Sequence, residues 1–600
     1  MTKTTKEMMS MEEFFKLQQT VKFKKMGEQL IPSFKDEERS SLTDEELDNF
    51  AVITKYAQSV KAYIDRPPLN YSKIIGVDIE TTGLDFLEDS IRLIAVYSED
   101  FEYVGEDLEA VKTLLTDPSV LKVFHHSQFD VCFLKKAGID VCTFTDTFIM
   151  NQILNNLPVF DSLSRLAKVY LGKSLDKSLQ HADNWQSDLT QEHYAYCLDD
   201  AKTTYELYQH MFDLIINRYL YPRYRREIET LPAIIELTLN GKLLDWDAWS
   251  TYLVTVDRER EKLGSYLQQQ LGCDNLNSSK QLKQSLQEMG IPVTSVQEGK
   301  LKLFSSKYSI VDEIVRYKKY NKLVTTYGDK LKNQLSKDGR LRGHWNLIGT
   351  KTSRMSCQKP NFQSIPKEMK KYFQAEEGNV FIIMDYSTIE LRILAEITNC
   401  QKLIDAFNAG ADLHVETAKA ILNQASISDN ERKLGKVVNF GLIYGLTPFG
   451  LKEKINVIPG FNISEYKAEE FIANYFKMYP EVANYQQQQQ YSEIITTLGG
   501  SYWDNTNGLD RLKPRQRYNY AVQASCAEGL KESLALFCKL KQDKWKLVSA
   551  IHDEIIIEVP DTEALTAKEC LKQAMIDGMG KLVKKIPIEV SVNISKTWKK

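Results

Sequence analysis

The recurrence of apolar residues divides this chain into stretches of different period. Residues 1–72 are dense in charge and read as a helical extension closing on Arg66-Pro67-Pro68, whose restricted φ angles predict an extended linker. From Lys73 the pattern turns to short β-type runs, IIGVDIE, IRLIAVYS and VLKVFHH, interleaved with helical periods, which predicts an α/β domain over 73–215. Residues 216–345 carry a charged helical pattern, and 346–600 mix helices with short apolar strands such as VFIIMD and IIIEVP. Together they predict a second, larger body. The run Gln486–Gln490 reads as helix surface, and no repeat of solenoid length is present.

These periods also gather chemistry. In IIGVDIE the period of two puts Asp78 and Glu80 on one side of a strand, and in YCLDD Tyr196 and Asp200 lie one helical turn apart. Asp130 follows the apolar run in VFHHSQFD. Four carboxylates and a phenol suit Mg²⁺ or Mn²⁺ ions that cleave a phosphodiester, although any one of these acids alone reads as a helix cap or surface group. In the larger body VFIIM ends in Asp385, and the apolar runs LVSAI and IIIEVP flank His552-Asp553-Glu554, which predicts a hairpin whose tip presents two acids. If Asp385 and Asp553 meet, they can hold two divalent ions for phosphoryl transfer. Between them in sequence, Arg432, Lys436, Phe440 and Tyr444 recur at every fourth position, which places all four on one face of a helix. The cations suit a triphosphate and the rings suit a base. Taken alone, the two rings are ordinary core aromatics.

Composition narrows the classes. Six hundred residues with 43% hydrophobic content allow several domains, each with an interior. No apolar run approaches the roughly 20 residues of a membrane span, and MTKTTKEMMSMEEFF lacks the core of a secretory signal, so a soluble, cytoplasmic protein with no membrane partner is expected. Nine cysteines without a CxxC pair argue against a disulfide framework or a zinc site. The net charge of −4 gives no general sign of nucleic-acid binding. Locally, Arg316–Lys332 is rich in Lys and Arg against the single acid Asp329, and it interleaves Tyr317, Tyr320 and Tyr327. On composition this segment reads equally as a solvated helix face.

Motif order resolves these readings together. DIE, HSQFD and YCLDD resemble the three motifs of the DnaQ-like proofreading exonucleases, and LDKSLQHADNW is similar to the stretch between the second and third. The resemblance implies an RNase H-like fold over 73–215, with Asp78, Glu80, Asp130 and Asp200 as metal ligands and Tyr196 orienting the attacking water. His126 departs from the Asn that often opens the second motif, which leaves the hold on the primer end there in question. Residues 216–600 resemble family A DNA polymerases: DYSTIELR, RKLGKVVNFGLIYG and HDE match in order, as do TSRMSCQKPNFQSIP, DLHVETA and NYAVQASCAEGLK.

That likeness implies a right-hand fold, with a thumb over about 216–345 and palm and fingers over 346–600. Asp385 and Asp553 would hold two Mg²⁺ ions, with Glu554 in support. Arg432, Lys436 and His414 would bind the triphosphate, and Phe440 and Tyr444 would flank the nascent pair. Arg354, Gln363, Arg515, Asn519, Gln523 and His552 would touch primer, template or minor groove. Glu390 would exclude a 2′-hydroxyl, and Phe440, where some relatives carry Tyr, would discriminate against sugars lacking a 3′-hydroxyl. The basic segment 316–332 would then grip duplex phosphates. The expected partners are primer-template DNA and dNTPs, bound by a monomer; no processivity factor is evident. Residues before 73 are too few for a 5′-nuclease domain. A single-subunit RNA polymerase is disfavoured by Glu390 and the attached exonuclease motifs, and a binding-only scaffold by the intact carboxylates.

Overall fold

The computed structural model describes residues 71–181, 185–305, 307–506 and 511–599. The N-terminal extension, up to residue 70, lies outside the described residues. Two compact units emerge. One takes the described residues up to Glu229 together with Gln488–Ala521, and the other takes Thr230–Gln487 with Val522 onward.

The first unit is built on a five-stranded sheet of β1 (Lys73–Thr81), β2 (Ile91–Ser98), β3 (Phe101–Gly105), β4 (Val120–Phe124) and β5 (Phe144–Asp146), in the order β3-β2-β1-β4-β5. β1 pairs antiparallel with β2 and parallel with β4, and so occupies the centre. Ile75, Val77 and Ile79 of β1 bury one face, which turns Gly76, Asp78 and Glu80 to the other. Helix α2 (Gln191–Asn217) packs against β1 and β2. Gly76 permits that approach, because a Cβ there would sit 2.2 Å from the Ala201 carbonyl oxygen. A second helix, α1 (Ser127–Lys136), carries Asp130. Its start is fixed by the Asp146 carboxylate, which accepts from the backbone N–H groups of His126 and Ser127 and from the Ser127 hydroxyl. His126 takes a left-handed φ of 72° at this junction.

In the second unit, α3 (Trp246–Leu271) packs on α4 (Ser309–Tyr327) over a core that includes Leu263, Leu267, Val311 and Ile314. The basic segment lies on the second half of α4 and the short turn after it, with the break at Gly328. A four-stranded antiparallel sheet forms from β6 (Asn379–Tyr386), β7 (Lys546–Ile551), β8 (Glu554–Pro560) and β9 (Val590–Ser595), in the order β7-β8-β6-β9. The residues of β6 are nearly all buried up to Asp385, which is half-buried, so the strand delivers a carboxylate near its end. Asp385 stands opposite Glu554 in register, and the Tyr386 N–H donates to the Asp553 carbonyl at 3.2 Å. The turn between β7 and β8 is only His552 and Asp553. Glu554 therefore does not share the tip as expected: it opens β8 and is 4% exposed. Helix α5 (Leu413–Leu422) packs on α6 (Asp429–Ile443), again through a glycine, since a Cβ on Gly435 would lie 2.0 Å from the His414 carbonyl oxygen. Helix α7 (Pro514–Leu540) starts in the segment assigned to the first unit and continues into the second.

Candidate active sites

In the first unit, β1 and α2 bring Asp78, Glu80 and Asp200 together, with carboxylate oxygens all within 4.8 Å of one another. Burial, then repulsion from the neighbouring acids, pushes Asp78 well above the usual carboxylate range. The same causes raise Glu80 to about 8. Asp130, 5% exposed on α1, is raised mainly by burial. So many acids that resist ionisation fit a divalent cation with hard oxygen ligands, which would supply the missing positive charge.

One basic side chain already reaches this cluster, and the sequence reading did not single it out. Lys177 Nζ donates to Asp200 Oδ2 at 2.8 Å and to the Tyr196 hydroxyl at 3.2 Å. It sits in LDKSLQHADNW, so the signal was present as a lysine between two acid motifs. Burial beside Asp200 and Glu80 drives the Tyr196 phenol far up, so it keeps its proton. His126 places its ring 5.0 Å from that of Phe148, and burial lowers its basicity.

In the second unit a cavity of about 480 Å³ is lined by Arg354, Asp385, Glu390, His414, Lys436, Phe440, Tyr444, His552 and Asp553, among others. Nine residues chosen from scattered motifs thus share one space. Glu390 is clamped: Arg354 donates to its Oε1 at 2.8 Å and the Tyr444 hydroxyl to its Oε2 at 2.5 Å. His414 is buried on α5, within 3.1 Å of the Asn439 side-chain amide. Burial, then Arg432 and Lys436 against an opposing Asp412, lowers its pKa to about 4, so the ring is neutral near pH 7. The four-residue spacing on α6 did not reveal this contact of Asn439, because the residue lies on the helix's buried side. The donor set of Asp385 and Asp553 facing Lys436 fits hard divalent ions together with a polyphosphate.

Other candidates fall elsewhere. Arg432 is turned to Asp412, with Nε 2.6 Å from Oδ2, and does not line the cavity. Gln363 donates to the Met355 carbonyl at 2.9 Å. Arg515, Asn519 and Gln523 follow one another at four-residue steps on α7, the first two in the segment assigned to the first unit. Glu554 lies behind the turn, accepting from Trp598 Nε1 at 3.3 Å.

A central-strand acid pair under a tyrosine-bearing helix, followed by an antiparallel sheet with acids at a strand end and a turn, defines a polymerase joined to a 3′–5′ exonuclease. Residues 248–600 match the profile of DNA polymerase family A, and residues 53–216 match that of a 3′–5′ exonuclease. The chain belongs to DNA polymerase family A. It is 30% identical to DNA polymerase I of Aquifex aeolicus, over 89% of this chain and 97% of that protein. It is 26% identical to DNA polymerase I of Pseudomonas aeruginosa, where 88% of this chain spans 64% of the relative. Its fold resembles the polymerase domain of Pol1 from M. smegmatis, solved with DNA primer-template and dNTP, with a TM-score of 0.77, 21% identity and coverage of 90% of this chain and 97% of that one. Enzymes with these two domains are generally metal-dependent. Among the described residues no helix is long and apolar enough to cross a membrane.

Proposed function

We propose that this protein extends a primer 3′-hydroxyl with dNTPs on a DNA template and excises mispaired 3′ ends, using two Mg²⁺ ions at each site, in replication or repair. The single observation that carries the reading is the cavity shared by Asp385, Asp553, Lys436, Phe440, Tyr444 and Glu390. Bound Mg²⁺, or Mn²⁺, would supply Lewis acidity toward the attacking oxygen and the departing phosphate. Asp385 and Asp553 would hold the ions. Lys436 meets the triphosphate, joined by the neutral His414 as a hydrogen-bonding rather than a charged group. Arg432 would have to leave Asp412 to take part. Phe440 and Tyr444 pack against the incoming base pair. Glu390, clamped from both sides, leaves no room for a ribose 2′-hydroxyl. Arg354, Gln363, Gln523, Arg515, Asn519 and His552 are assigned to DNA, and the basic end of α4 to duplex phosphates.

At the exonuclease site Asp78, Glu80, Asp130 and Asp200 would ligate the ions. The protonated Tyr196 would orient water, and Lys177 would fix both that phenol and the Asp200 carboxylate. Asp553→Asn is expected to abolish primer extension and spare degradation of single-stranded 3′ ends. Asp78→Ala should do the reverse on a mismatched primer. Loss of both activities in either variant would sink the assignment of two separate centres.

A further inference from the structure

Lys242, on the strand Lys242–Leu244, carries a side chain with none of its surface exposed. Its ammonium lies 3.5 Å from the ring centroid of Trp598, 4.2 Å from that of Phe362 and 5.5 Å from that of Phe373, and it donates to Ser549 Oγ at 3.1 Å. Lys370 places a second ammonium 4.2 Å from the Trp598 ring. An indole is the strongest cation-π acceptor among side chains, and a desolvated contact of this kind is stronger than an exposed one. The Trp598 backbone is tied down as well, with its N–H donating to the Phe373 carbonyl at 3.0 Å.

The edge of this clamped ring does something specific. Its Nε1–H donates to Glu554 Oε1 at 3.3 Å. Glu554 follows Asp553 directly and stands opposite Asp385 in the β6–β8 register. A fully buried ammonium is costly where a methyl-bearing side chain would fill the same space. Burial holds the Lys242 pKa well below its usual value, against the pull of Glu554, so the amine grips the indole by close packing on the ring face and its bond to Ser549.

We propose that Trp598, gripped by Lys242, is a positioning residue for polymerisation: its indole N–H fixes Glu554 and through it the turn that carries Asp553 toward Asp385. The inference rests on Asp385 and Asp553 being the polymerase carboxylates. Trp598→Phe in the full chain keeps a ring for both lysine side chains but removes the donor together with part of the buried ring, and the Glu554 background separates the two effects. Single-nucleotide insertion should then lose about tenfold in kcat with the dNTP KM within about twofold, while excision of a mismatched 3′ end is unchanged. In a Glu554→Leu background, which has no acceptor for the indole N–H, the same substitution should change kcat by less than about twofold, since coupled residues do not add. Lys242→Met, which keeps the bulk and removes the amine that meets Trp598 and Ser549, should show a smaller kcat loss that also vanishes in the Glu554→Leu background. Should Trp598→Phe fail to fold, the Lys242→Met cycle alone decides. An undiminished kcat, or an equal loss with and without Glu554, overturns the proposal. If Asp553→Asn still extends primers, the underlying site is wrong; if it is inactive and Trp598→Phe behaves as wild type, only this inference fails.

Discussion

Replacing Lys177 by Met keeps the length of the side chain and removes its charge from the exonuclease cluster. The ammonium is 2.8 Å from Asp200 Oδ2 and 3.3 Å from Oδ1, with the lysine side chain 24% exposed and the aspartate 10%. At an effective dielectric of about 20 the Coulomb attraction is roughly 6 kcal/mol. Desolvation and partial screening reduce a charge-assisted hydrogen bond of this kind to about 2 kcal/mol net. If that energy holds Tyr196 and Asp200 in the reactive arrangement, its loss slows excision about 30-fold. The assay is single-turnover release of a mismatched 3′ nucleotide at saturating Mg²⁺, with extension of a matched primer by the same protein as the control. Lys177→Arg should recover most of the rate, because a cation again reaches both oxygens. Excision within about twofold of wild type would refute the reasoning, as would an equal loss of extension.

Glu80, raised to about 8, keeps a proton in the folded protein from about pH 4.5 upward, where the unfolded chain has lost it. Stability of the metal-free first unit should therefore fall as pH rises from about 5 to 8, and Mg²⁺ binding at pH 7 should release protons, seen as a buffer-dependent heat that Glu80→Gln reduces. Gly76→Ala drives a Cβ against the Ala201 carbonyl, so α2 must shift and excision should drop at least about tenfold while extension persists; unchanged excision would show that the close approach is dispensable. Glu390→Ala unclamps the sugar gate and should raise ribonucleotide insertion relative to dNTP, with unchanged selectivity rejecting the role. Phe440→Tyr should increase use of nucleotides lacking a 3′-hydroxyl, read from chain termination in a competition assay.

Local order along the chain already carried much of this protein. The alternation in IIGVDIE was enough to put Asp78 and Glu80 on one face, and the helical step in YCLDD to align Tyr196 with Asp200, because strand and helix periods are properties of a few consecutive residues. The four-residue spacing along α6 and its capping Tyr444 likewise put Lys436, Phe440 and Tyr444 on one face, and all three line one cavity. That spacing also included Arg432, whose side chain instead pairs with Asp412, the residue that caps α5, a contact that no local period encodes.

What tertiary structure alone decided are meetings between residues far apart in sequence. Lys177 reaches Asp200 only because its loop folds over α2, and Gly76 matters only because α2 lies on β1. Glu554 looked like the partner of Asp553 at a hairpin tip, yet strand pairing with Asp385 turned it inward to Trp598, a residue far away in sequence. Motif and period specify which groups are presented and on which face. Packing of elements, governed by close contacts that no local pattern encodes, selects which of those groups touch.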